Sequence, residues 1–159
     1  MSPQKEAKTI AYYFIKKNEK DHRGLDNKKL QKLLYYSQAW NLVFHKEPLF
    51  SDKIEAWIHG PAIPQVWRMF RDFNFSVEYP EILDSDINLI TAKEKKILDE
   101  VWRVYGKFDG NYLESLTHNE EPWLKARQGL EVFDASQNEI PQEEMRSYYS
   151  HKLSDLKKI

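Results

Sequence analysis

Cysteine is absent from the 159 residues, which removes disulfides, thiolate nucleophiles and Cys-ligated zinc together and fits a reducing compartment. A surplus of either charge is missing too. The 24 Lys and Arg against 25 Asp and Glu leave a net charge of -1, so no bulk positive field draws in a phosphate backbone or an anionic membrane, and no nucleic-acid partner is expected. Long hydrophobic runs are lacking: no stretch approaches the ~18 apolar residues of a spanning helix, and Met1-Ser2-Pro3-Gln4-Lys5-Glu6 carries no apolar signal core. The reading is a cytoplasmic protein with no membrane association. The five glycines stand singly, which excludes a glycine-rich phosphate cradle.

What is present is enough to fold. Hydrophobic residues make up 41% and charged residues 31%, too apolar for a disordered tract, and a chain of this length buries roughly 70% of its unfolded surface. One domain over residues 1–159 is expected, with no internal repeat.

Helical periodicity dominates. Ala7, Ile10, Ala11, Phe14 and Ile15 form a one-sided stripe on a first helix from Pro3 to about Asp21. Asp26 suits the N-cap of a second helix, 26–45, whose apolar residues cover most of its circumference and make it the central helix. Its uncharged polar residues Gln31, Gln38, Asn41 and His45 fall close to one line and read as a buried hydrogen-bonded seam.

Ile54, Ala56 and Ile58 alternate with Glu55, Trp57 and His59, the period of a strand. Gly60-Pro61 is expected to end it as a hinge, Gly60 permitting positive φ or close approach, before a helix opened by Pro64. Residues 48–50 or 75–79 are the expected partners, giving a small two- or three-stranded sheet.

Residues 80–90 read as a loop. Thr91 with Glu94 forms a capping box for a helix to Tyr105. Short helices at 110–116 and 121–128 follow, and Pro141 opens a last one carrying Met145, Tyr148, Tyr149, Leu153 and Leu156 inward. The fold class is mainly α (α+β), with about seven helices around helix 26–45.

The run from Asn27 through Leu30, Gln31, Lys32, Leu33, Tyr35, Tyr36 and Gln38, then Pro48-Leu49-Phe50, then Trp57, His59, Gly60 and Pro61, resembles the Panacea (SocA-like) antitoxin family. Trp102, Leu113, Thr117, His118, Pro122 and Trp123 resemble that family's second half, so the likeness spans about residues 10–127. The resemblance implies a bacterial or prophage-encoded antitoxin that neutralises a toxin encoded beside it by direct contact, without catalysis and with no cofactor. One branch of the family instead delivers its toxin to an ATP-dependent protease.

An enzyme reading starts from His59 and His118, the histidines inside these motifs, but no pair has the spacing that sets two metal ligands on one face. The residues favour structural roles. His59 and His118 serve as neutral hydrogen-bonding groups, Thr117 caps, and Trp57 and Trp123 anchor the core. For the partner surface, Tyr12 and Tyr13 fall outside the apolar arc of the first helix with Lys16 beside them, a composition that matches interface hot spots.

Overall fold

Helix α2, Asn27–His45, forms where the apolar residues are densest and lies at the centre of the molecule. Asp26 closes its first turn by accepting from Lys29 N at 2.8 Å, and Lys46, at φ 57°, ends it in the left-handed region. Around it the computed structural model, which describes residues 5–73 and 81–153, places α1 (Ala7–Asp21), α3 (Pro64–Phe70) with a 3-10 turn at Arg71–Phe73, α4 (Asp84–Ile87), α5 (Ala92–Tyr105), α6 (Gly110–His118), α7 (Glu121–Ala126) and α8 (Gln142–His151). Strands β1 (Glu55–Trp57) and β2 (Gly60–Ala62) make the one sheet among the described residues. The protein is mainly helical, as the fold class anticipated, with eight α-helices among the described residues where about seven were expected, and its core is one contiguous cluster built on α1, α2, α5 and α8.

The boundaries carry corrections. Helix α1 starts at Ala7, where Glu6 is extended and Asp52 supplies the cap, its Oδ1 accepting from Ala7 N at 2.8 Å; Pro3, the expected start, lies outside the described residues. The segment expected as a loop holds α4, a single turn secured by Asp86, whose carboxylate accepts from Leu83 N at 2.9 Å. The capping box at Thr91 and Glu94 forms as expected, with donor–acceptor distances of 3.3 and 3.0 Å. Leu156 and residues 75–79 lie outside the described residues.

Gly60-Pro61 does not end the strand but belongs to the second one. Ile58 and His59 make a two-residue hairpin turn, with Glu55 opposite Ala62, Ala56 opposite Pro61 and Trp57 opposite Gly60. Pro61 is tolerated because Ala56 directs its own N–H the other way, to Asn138 O at 2.8 Å. The second partner of β1 is therefore residues 138–140, secured also by Ile140 N donating to Ile54 O at 2.8 Å, and not residues 48–50.

Gln31, Gln38 and Asn41 of the polar line on α2 form a hydrogen-bonded seam that captures extended backbone, while His45, expected as its fourth member, is half-buried and its Nε2 has no partner among the described residues. Gln38 accepts from Leu49 N at 2.7 Å and donates to Phe50 O at 3.0 Å. Gln31 accepts from Ile63 N at 2.7 Å, and Asn41 donates to Glu47 O at 2.9 Å. These amides supply what a longer sheet would otherwise give those segments, and so they fix the hairpin against the helix.

Candidate functional site

The hairpin, the start of α2, Trp67 of α3 and residues 135–137 enclose a cavity of about 340 Å³. Strand alternation explains its wall. Ala56 points into the core, so Trp57, its neighbour in β1, faces the other way. Trp57 meets Trp67 edge to face with ring centroids 5.9 Å apart, and its Nε1 donates to Glu55 Oε1 at 2.8 Å. The expectation that Trp57 anchors the core is corrected: it is half-buried and lines the cavity. Trp123 does lie in the core, its Nε1 donating to Trp57 O at 2.8 Å.

Lys32 also lines the cavity, at 2% exposure. Its ammonium donates to Pro61 O at 3.3 Å and makes no ion pair with a carboxylate among the described residues. Desolvation pushes its pKa down to about 7, opposed by the Glu114 and Asp26 carboxylates and assisted by Lys28. Gly60 is required here twice over. Its φ is 106°, and a Cβ would fall 2.5 Å from Lys32 Cε and 3.0 Å from Thr117 Oγ1.

Glu114 organises the charged rim. Its Oε1 lies 2.7 Å from Lys28 Nζ and its Oε2 lies 3.2 Å from His59 Nδ1, and these hydrogen bonds hold its pKa low against the desolvation that would raise it. His59 is exposed at the hairpin turn. His118 stacks on Trp123 with centroids 4.0 Å apart, and burial lowers its pKa, which favours the neutral ring. Thr117 does not cap a helix; its Oγ1 donates to Glu114 O at 2.9 Å within α6. Pro122 is buried in the first turn of α7.

Tyr35, Tyr36, Leu30 and Leu33 are core residues. Tyr36 stacks on Tyr105 at 4.0 Å, and its hydroxyl donates to Glu120 Oε1 at 2.6 Å. Tyr149 OH lies 2.9 Å from the same Glu120 oxygen and 3.0 Å from Tyr35 OH. Burial raises the Glu120 pKa, opposed by the hydrogen bonds from Tyr36 and Tyr149.

The premise that Tyr12 and Tyr13 stand on a solvent face is also corrected. Tyr12 is buried in the core at 9% exposure. The Tyr13 hydroxyl donates to Asp99 Oδ1 at 2.7 Å, and Lys16 lies 3.0 Å from Asp84. The reason is that α4 packs on α1 and Asp99 of α5 reaches across to it, so the buried arc of α1 is wider than its aliphatic residues imply.

Sequence reasoning missed the loop beside the cavity. Arg127, 5% exposed, donates to Ala56 O at 3.0 Å, Glu131 O at 3.2 Å, Val132 O at 3.3 Å and Asp134 O at 2.7 Å. With those carbonyls turned inward, Val132 and Phe133 project outward at 66% and 85% exposure. A lone Arg before Gly129 with Leu130, Val132 and Phe133 shortly after it was the available signal, and it has no periodicity to reveal it.

Among the described residues no group of three or more His, Asp or Glu could hold a metal ion, and no helix is long and apolar enough to cross a membrane. One family model, described as antitoxin SocA-like, Panacea domain, matches residues 30–124. No curated protein and no solved structure matches the chain.

Proposed function

Because the chain belongs to the SocA-like antitoxin family, its Panacea domain covering residues 30–124, we propose that it is the antitoxin of a toxin–antitoxin pair and neutralises its toxin by direct protein contact in the cytoplasm. The family match carries this reading. The side chains around the cavity support it. His59 is spent on Glu114, and His118 is stacked on Trp123 with its pKa depressed, so neither is arranged beside a nucleophile or a metal ligand set. The same region combines aromatic surface, basic groups and an exposed phenylalanine, the composition of a binding surface.

The test is co-expression with the protein encoded by the adjacent reading frame. Growth is expected to recover, and the two proteins are expected to co-purify. Recovery that disappears in a host lacking its ATP-dependent protease would replace occlusion with delivery for degradation, and absence of both recovery and co-purification would reject the reading.

A further inference from the structure

The cavity joins an apolar wall to an excess of cations. Trp57 and Trp67 form the wall with Ile58 and Ala62, while Lys28 and Lys32 line the same space. Glu114, beside the cavity, engages Lys28 with one carboxylate oxygen and His59 with the other, and the Asp26 carboxylate also acts on Lys32. Aromatic walls alone would favour a cation, but two lysines repel one. An anionic group with an apolar neighbour satisfies both halves.

The rim continues into the Arg127 loop, since residues 135–137, which line the cavity, directly follow Val132, Phe133 and Asp134. A phenylalanine at 85% exposure on a backbone pinned by a buried guanidinium is a large apolar contact already ordered before any partner arrives.

We propose that the cavity and the Val132–Phe133 loop are one docking surface for the toxin, and that they take a toxin segment in which a carboxylate side chain neighbours a large apolar one. The apolar side chain packs against Trp57, Trp67 and Phe133, and the carboxylate reaches Lys32 and Lys28. A volume of about 340 Å³ is at the low end for ligand pockets, so it accommodates an anchor side chain and not a whole helix. The arriving carboxylate favours the charged form of Lys32, so binding takes up a proton above neutral pH. Glu114, Asp26, Lys28, His59 and His118 are the other charged or titratable groups around it. This surface rests on the antitoxin reading, and the experiment separates the two.

The chain is titrated by calorimetry with the adjacent gene product carrying an inactivating mutation. Two substitutions act at exposed loop positions, Phe133→Ser removing the apolar contact and Ala135→Trp filling the cavity mouth. Each is expected to weaken binding by about 30-fold or more at an unchanged melting temperature. Lys32→Met is expected to weaken binding at pH 7 and abolish proton uptake, read as the dependence of binding heat on buffer ionisation. Parent-like affinity in both loop variants would overturn the docking surface while leaving the antitoxin reading intact.

If the parent chain does not bind the toxin, the antitoxin reading fails and the cavity is judged by a small probe. N-acetyl-phenylalanine and its amide are followed through tryptophan fluorescence. Preference for the free acid by about tenfold or more, lost in Ala135→Trp, supports the cavity chemistry. Equal binding or none overturns it.

Discussion

Where α1 meets α5, buried charge is answered by charge: Lys5 Nζ lies 2.8 Å from Glu94 Oε2, the two side chains at 1% and 0% exposure, and Glu94 also caps Thr91. Nearby, Asp99 receives both Tyr13 and Lys17. Where the hairpin meets α2, Lys32 is buried as deeply and donates to the Pro61 carbonyl with no carboxylate paired to it among the described residues, His118 keeps a buried Nε2 without a partner among those residues, and Phe133 faces solvent. The first contact answers its buried charges with charge. The second holds a buried ammonium on a carbonyl beside an exposed phenylalanine, so the two regions differ in how a buried charge is met.

The comparison can be broken most forcefully at Lys5. Lys5→Met leaves Glu94 buried without its counter-charge, and a loss of about 3–5 kcal/mol is expected in urea unfolding. A loss below ~1 kcal/mol would mean the pair is not the closure it looks like. Tyr12→Ser comes next, at about 3 kcal/mol with a clear drop in melting temperature, because it empties a core position. A melting temperature equal to the parent's would return Tyr12 to the surface.

Lys32→Met should change stability in the opposite direction. The folded-state pKa of about 7 lies below the ordinary 10.5, so the unfolded chain holds a proton that the folded chain has shed between those values. Stability of the parent therefore rises with pH from about 7 towards 10.5, and this contribution is lost as pH falls through about 7. Met removes that slope and is expected to gain about 2 kcal/mol at pH 7, measured as urea midpoints at pH 7 and pH 9.5. An unchanged pH slope in the variant would assign it to another group. The smallest effect is expected at Phe133→Ser, within about 0.5 kcal/mol, since the ring covers nothing in the free protein. A larger loss would show that the loop uses the ring to hold itself.

Local chemistry was legible in the sequence where a residue's partner is near in the chain. Thr91 with Glu94 and Asp26 with Lys29 N each close within three residues. The Gln31, Gln38 and Asn41 line was legible from helical spacing. Pairing over distance was not. Gly60-Pro61 reads as a strand breaker unless one knows that Ala56 N–H points to Asn138, 82 positions later. Period two already placed Trp57 with Glu55 and His59, away from Ala56, so its place on the cavity wall was readable and was outweighed by the usual fate of tryptophan. The burial of Lys32 left no trace, because one side chain's depth depends on Gly60 and Thr117 approaching from other elements.

Arg127 grips the loop that carries Phe133 through main-chain oxygens at positions 131, 132 and 134, a grip indifferent to which side chains those positions bear. Asp134 adds a side-chain bond, its Oδ2 accepting from Glu131 N at 2.8 Å, while Val132 and Phe133 turn outward. The path of the loop is thus separable from the surface it presents: the side chains at 132 and 133 can change while the carbonyls keep their places. One guanidinium thus joins three loop carbonyls to Ala56 O of the hairpin, so a change at Arg127 would loosen the loop's tie to β1 while the turn between Glu131 and Asp134 keeps its own bonds.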